Sequence, residues 1–176
     1  DRSGCANLRY RKRNRMENEI NKQSSGTLSV SDEIMLAQKD IIETFSMFDD
    51  WTDRYQCIID LGREAPPFPE EWKTDEHKLD GCQSQVWVVT EKTGERLNYY
   101  ATSDSTIVAG LIAMMLMVYS GRKPADILST PPKFIEELDL SGHLSPTRSN
   151  GLHAMIQRIR HFAVDAMVKQ NMGQDK

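Results

Sequence analysis

The residues best placed to do chemistry lie in Leu79-Asp80-Gly81-Cys82-Gln83-Ser84-Gln85-Val86-Trp87-Val88-Val89, a turn that ends in a cysteine and runs into a strand. Asp80-Gly81 is a strong turn dipeptide, because glycine takes positive φ without steric cost and aspartate hydrogen-bonds its own backbone. From Gln83 onward alternate side chains face opposite ways. Gln83, Gln85, Trp87 and Val89 therefore share one side of the expected strand, and Ser84, Val86 and Val88 the other. A short thiol side chain on such a turn, flanked by amides and hydroxyls, can be shown to a partner or withdrawn into the protein.

Several chemistries compete for Cys82. A Cys-His hydrolase dyad would draw on His77 or His143, yet no glycine-rich oxyanion segment adjoins them, and His77 sits in the polar run Lys73 to Lys78. A zinc or iron-sulfur scaffold needs three or four converging ligands, and only His77 and Cys82 are close in sequence, without a second cysteine pair. No metal site is expected. A buried core thiol is the bland alternative. Cys57, one position from an apolar helical stripe, reads as a small buried hydrophobe. Cys5, Cys57 and Cys82 show no CxxC spacing and leave one cysteine over, which does not read as a disulfide framework and suggests a reducing compartment.

The segment Gly81-Cys82-Gln83-Ser84-Gln85-Val86-Trp87 resembles the cysteine motif of the SufE family, sulfur-acceptor proteins that work with a SufS-type cysteine desulfurase in iron-sulfur cluster assembly. Other segments agree in order. They are Leu61-Gly62 followed by Pro66-Pro67, Asp104 leading into Ile107-Val108-Ala109-Gly110-Leu111-Ile112, and His143-Leu144-Ser145-Pro146-Thr147-Arg148-Ser149-Asn150-Gly151-Leu152. The resemblance runs from about the Ile34 helix to the Met167 region, and the N-terminal residues before it match nothing in the family.

The resemblance implies that Cys82 accepts sulfane sulfur as a persulfide, stimulates the desulfurase, and passes sulfur to SufBCD-type iron-sulfur scaffold proteins. The pyridoxal phosphate chemistry would belong to the partner, so no cofactor is expected here. The protein would be an activator and carrier rather than a stand-alone enzyme. A CsdE-type protein serving a different desulfurase fits the same residues. An adaptor that binds a desulfurase or another client, with Cys82 structural, is the alternative.

Sulfur acceptance requires access to the thiol, a useful fraction of thiolate near neutral pH, and shelter for the product. Backbone N–H groups of the turn, with Gln83 and Ser84, are expected to stabilise the thiolate by hydrogen bonding. Arg148 follows Pro146 near a helix start, where a cation opposes the helix dipole, so an anionic partner is expected. Candidates are Asp104, a carboxylate on the desulfurase, the persulfide region of Cys82, or a local carboxylate bridge. The family pattern places Arg148, Ser149 and Asn150 near the cysteine on the partner surface. Asp104 reads as the N-cap of the following helix, and the family pattern also sets its loop beside the cysteine turn, with Gly81, Gln83, Ser84 and Gln85 in support.

With 176 residues the chain is about one domain long and can bury a sizeable core. A formal net charge of -4 argues against a general nucleic-acid binder, whose affinity comes from neutralising phosphates with Lys and Arg. The basic N-terminal run lacks a following apolar h-region, and the apolar run from Ile107 to Tyr119 is too short to span a bilayer, so a cytoplasmic protein without a membrane role is expected. Residues 1–30 read as a disordered polar and basic tail, 31–170 as a single SufE-like domain, and 171–176 as a frayed terminus. A monomer or homodimer fits the family pattern.

Within the domain, Ser31 caps a helix carrying Ile34, Ala37, Ile41, Phe45 and Phe48 inward, and a second helix from Asp50 carries Trp51, Tyr55, Ile58 and Ile59 and ends at Gly62. Pro66, Pro67 and Pro69 make an extended connector in which Trp72 anchors to the core. A strand over Gln83 to Val89 turns at Lys92-Thr93-Gly94-Glu95 into a second strand, Arg96 to Ala101. A helix of about 105–120, uncharged between Ile107 and Tyr119, should be buried nearly all round. Its methionines read as core rather than a thioether metal site. Short helices start at Pro124 and Lys133. A long C-terminal helix, about 148–169, turns Leu152, Met155, Ile156, Ile159, Ala163 and Ala166 inward and Arg158, Arg160, His161 and Asp165 to water. The plan is α+β, helices packed on one face of a small curved antiparallel sheet, SufE/IscU-like and by resemblance three-stranded.

Overall fold

The computed structural model describes Cys5 and residues 30–173. The tail expected over residues 1–30 lies, apart from Cys5 and Val30, outside the described residues. The order of elements is α1 (Val30–Ser46), α2 (Trp51–Arg63), β1 (Val86–Thr93), β2 (Arg96–Ser103), α3 (Thr106–Tyr119), α4 (Pro124–Ser129), α5 (Lys133–Glu137), α6 (Leu140–His143) and α7 (Pro146–Met172). The fold is α+β, as the order of apolar periods implies.

Helix α1 buries Ile34, Ile41 and Phe45 completely, and each such side chain removed from water contributes about 1.5–3 kcal/mol. It is already under way at Val30, so Ser31 stands inside it and is not the cap expected. Helix α2 starts as its sequence dictates, with the Asp53 N–H donating to Asp50 Oδ1 at 3.0 Å. It continues to Arg63, so Gly62 does not end it. A Cβ at Gly62 would lie 2.6 Å from the Gly110 nitrogen, and one at Gly110 would lie 2.0 Å from the Ile58 carbonyl oxygen. The pair lets α2 and α3 approach backbone to backbone.

Cys57 is buried on α2 and joined to Cys5 by a disulfide, which corrects the expectation that the cysteines form no bridge. The two are 52 residues apart, and that separation carries no motif. After α2 the proline connector includes two short 3-10 turns, Glu70–Trp72 and Asp75–His77, so it is less extended than expected. Trp72 is half-buried edge-on against Phe68 and Tyr100, with centroids at 5.7 and 5.4 Å.

The hairpin pairs Val86 with Ser103 through Thr93 with Arg96 across a two-residue turn at Gly94, whose φ is +60°. Val86, Val88, Leu97 and Tyr99 face the core. Strand β1 begins at Val86 rather than Gln83, and the described residues form a two-stranded sheet, not a three-stranded one. Single bridges, Lys78 with Trp87 and Leu97 with Arg122, occupy part of its two edges. Glu33 ties α1 to this hairpin, accepting from Arg96 at 3.0 and 3.2 Å and from Arg122 at 2.7 Å.

Helix α3 is buried along most of its length, including Leu111, Ile112, Met114, Met115 and Val118. Its N-cap is Ser105, so Asp104 is free for another task. Helix α6 follows Asp139, which adopts a left-handed φ of 51°. Ser145 then caps α7, accepting from the Arg148 N–H at 3.4 Å, with Pro146 as its first residue. Leu152, Met155, Ile159, Ala163 and Ala166 of α7 are buried. Arg160 does not simply face water, since its Nη1 donates to the Leu128 carbonyl at 3.2 Å. Helical backbone reaches Met172, past the expected end near 169, and residues 174–176 lie outside the described residues. Among the described residues no helix is long and apolar enough to cross a membrane.

Candidate functional site

The Cys82 loop hangs between two fixed points. At its start the Leu79 N–H donates to the Val86 carbonyl at 2.8 Å, and Gly81 takes φ +87°, the conformation for which glycine is suited. At its end the Gln85 N–H donates to Asp104 Oδ1 at 3.0 Å, while the Asp104 N–H returns a bond to the Gln85 carbonyl at 3.2 Å. Asp104 is thus an anchor of the cysteine loop rather than a helix cap.

Cys82 is the free cysteine among the described residues and is half-buried. It points its thiol at the Gly151 carbonyl on α7 over a long 3.9 Å contact. Burial pushes the thiol above its ordinary pKa. The expected stabilisation of the thiolate by Gln83, Ser84 and turn amides is therefore not what governs this conformation. Desolvation governs it, and desolvation favours the neutral thiol.

Beside the thiol opens a cavity of about 360 Å³ between the loop, α3 and α7. Its walls include Leu79, Val108, Leu111, Met115, Leu152 and Met155, and its polar residues are Gln83, Ser84, Ser145, Thr147 and Arg148. Composition makes the interior dry and the mouth wet. Of the residues named from sequence, Cys82, Gln83, Ser84 and Arg148 meet on this cavity. Gly81 and Gln85 shape the loop, and Asp104 holds it. Ser149 and Asn150 lie next along α7 and do not line the cavity; the Ser149 N–H is taken up by the Ser145 carbonyl at 2.9 Å.

Arg148 is exposed, and no carboxylate among the described residues pairs with it, so the local bridge considered from sequence is absent there. Asp104, the other intramolecular candidate, spends its Oδ1 on Gln85. Neither His77 nor His143 lines the cavity beside the thiol. His77 Nδ1 bonds to the Trp72 carbonyl at 2.9 Å, and His143 stacks on Trp51 at 3.9 Å while its Nδ1 bonds to the Asp139 carbonyl at 3.0 Å. A Cys-His dyad is thereby disfavoured. No group of three metal-ligating side chains converges among the described residues.

Sequence reasoning missed the cavity walls and Gly151. Met115 and Met155 read only as core, and Leu152 as core at the end of a motif segment, because an apolar residue lining a cavity has the same periodicity as one packed solid. Gly151 carried a usable signal, a glycine inside a helical period.

A family model described as SufE, Fe-S metabolism associated domain, matches residues 39–163. An uncharacterised SufE-like protein of Rhizobium meliloti is 40% identical over 139 residues, covering 73% of this chain and 96% of its own. A second uncharacterised SufE-like protein, from Rhizobium etli, is 40% identical over 134 residues, 73% of this chain and 90% of its own. Among solved structures, the solution structure of a hypothetical protein from Thermus thermophilus matches 75% of this chain and 96% of its own, with a TM-score of 0.63 at 21% identity, and shows a shared fold. With the family model spanning most of the chain and close relatives matched over nearly their full length, the chain belongs to the SufE family, whose domain is associated with iron-sulfur metabolism.

Proposed function

We propose that this protein is a sulfur carrier, in which Cys82 accepts sulfane sulfur as a persulfide from a SufS-type cysteine desulfurase and hands it on to iron-sulfur cluster assembly on a SufBCD-type scaffold. The observation that carries this reading is a free, half-buried thiol on a loop pinned at both ends, set beside a largely apolar cavity with room for a second sulfur.

In the transfer the Cys82 thiolate attacks the outer sulfur of the donor persulfide. The donor's sulfur–sulfur bond breaks as the new one to Cys82 forms, and the donor cysteine leaves as thiolate, with no net oxidation. Cys82 gives up its proton to solvent or to a base on the partner. Because burial raises the thiol, Cys82 at rest holds a smaller fraction of thiolate than a free cysteine, and that fraction rises when the loop presents it to the donor. Arg148, exposed at the cavity mouth and paired with no carboxylate among the described residues, supports this reading as a contact for an acidic group on the desulfurase. The partner supplies pyridoxal phosphate, and removal of its persulfide speeds its turnover.

Desulfurase turnover measured with wild type and with Cys82→Ser tests the reading. Loss of stimulation in the variant, with binding retained, supports the carrier. Full stimulation by Cys82→Ser would identify an adaptor whose thiol is incidental.

A further inference from the structure

Glycine inside a helix lowers helix stability relative to alanine, because it loses the most backbone freedom on folding. Gly151 lies well inside α7 without a positive φ, so its backbone gives no reason for the missing side chain. Its surroundings give one. An ideal Cβ at Gly151 would lie 3.4 Å from Cys82 Sγ and 4.0 Å from Cys82 Cβ, and it would meet no other side chain or distant backbone atom within 4 Å among the described residues. Carbon at 3.4 Å from sulfur is at the tight edge of van der Waals contact, so a methyl there would leave the thiol no slack against α7 and ask at most a few tenths of an ångström of it. Gly62 and Gly110 differ, since their missing Cβ atoms would strike backbone.

We propose that Gly151 is a positioning residue for Cys82: by presenting no side chain it lets the thiol withdraw against α7, and it keeps clear the path by which the outer sulfur of a Cys82 persulfide enters the neighbouring cavity. This deepens the sulfur-carrier reading and rests on it. A persulfide is longer than a thiol by one sulfur–sulfur bond, about 2.0 Å. The cavity that borders Cys82 also includes Gly151 in its wall, next to Leu152 and Met155. A methyl group on Gly151 would press the sulfur outward, toward the mouth at Gln83 and Ser84.

The test uses the full chain as wild type, Gly151→Ala, Cys82→Ser and the double variant. Thermal midpoints are recorded, and alkylation of Cys82 by iodoacetamide is followed against pH with the modified peptide quantified. With Cys82 present, Gly151→Ala is expected to alkylate severalfold faster at neutral pH, with the midpoint of its pH–rate profile moved down toward that of free cysteine. The helix gain from alanine should raise the thermal midpoint more in the Cys82→Ser background, where a smaller oxygen faces the methyl, than in the Cys82 background. Unchanged or slower alkylation, or equal midpoint changes in both backgrounds, would overturn the proposal. Should Gly151→Ala fail to fold, its recovery by Cys82→Ser supports the proposal and its failure in both backgrounds overturns it. None of these readouts involves a desulfurase, so their failure leaves the carrier reading standing, and failure of wild type to load sulfur leaves them unaltered.

Discussion

Asp104 and Gln85 hold each other through two hydrogen bonds, the Gln85 N–H to Asp104 Oδ1 at 3.0 Å and the Asp104 N–H to the Gln85 carbonyl at 3.2 Å. This pair fixes the exit of the cysteine loop to the entry of α3, so a change at Asp104 reaches Cys82 through three intervening loop residues rather than through the core. The link is exposed and charge-assisted on one side, worth about 1–2 kcal/mol.

Asp104→Arg is accordingly expected to lower thermal stability by that modest amount while changing desulfurase stimulation severalfold. Denaturant unfolding alongside turnover assays checks it. Loss of stimulation only in proportion to loss of folded protein would reduce Asp104 to a turn anchor.

Cys82 should leave a mark on the pH dependence of stability. Its folded pKa is raised by burial, so above the pKa of the unfolded thiol the unfolded state holds fewer protons than the folded one, and stability falls as pH rises. The fall ends above the folded pKa, and the contribution is complete below the unfolded value, near 8.5 for free cysteine. Unfolding curves from about pH 7 to 10 should therefore drop more steeply for wild type than for Cys82→Ser, where the thiol is gone. Parallel curves would mean that the thiol is not desolvated in solution.

Gly62→Ala and Gly110→Ala should behave opposite to Gly151→Ala. A methyl at Gly62 meets the Gly110 nitrogen at 2.6 Å, and one at Gly110 meets the Ile58 carbonyl oxygen at 2.0 Å, so α2 and α3 must separate. Overpacking of this kind costs about 1–3 kcal/mol, with Gly110 the worse because its methyl would come closer to the opposing backbone. Chemical unfolding gives the values. A neutral Gly110→Ala would show that the two helices are not in backbone contact.

Much of the fold was legible in the residues. The apolar period of α1, the Asp50 cap, the Pro146 entry to α7 and the Gly94 turn are local signals, and each element lies where its signal points. The errors have a common cause. Gly62 read as a helix end because a packing glycine and a terminating glycine look alike until the neighbouring helix is in place. Asp104 read as a cap because an acid before a helix usually is one, whereas here Ser105 takes that position and Gln85 takes the carboxylate. The Cys5–Cys57 disulfide and the cavity beside Cys82 are tertiary facts that no local period encodes. Cys82 itself was legible from its motif, but its depressed acidity was not, since desolvation depends on what packs over the loop.

Glu33 offers a stability test away from the thiol. Burial alone would raise its carboxyl, but the hydrogen bonds from Arg96 and Arg122 outweigh burial and hold it below the usual range. A depressed carboxyl contributes stability above its unfolded pKa and loses it as pH falls through the folded value, so this anchor of α1 should weaken in acid. Glu33→Gln is expected to cost about 1–2 kcal/mol near neutral pH and to flatten the acid limb of the stability profile. An unchanged acid limb would show that the two arginines do not hold Glu33 in solution.

Sulfur loading of Cys82 is the most direct test. Wild type is incubated with a SufS-type desulfurase and cysteine, and its intact mass is measured before and after reduction. The expected result is a gain of one sulfur atom, removed by reductant, mapped to Cys82 and absent from Cys82→Ser. Stimulation of the desulfurase without any added sulfur on Cys82 would contradict the account.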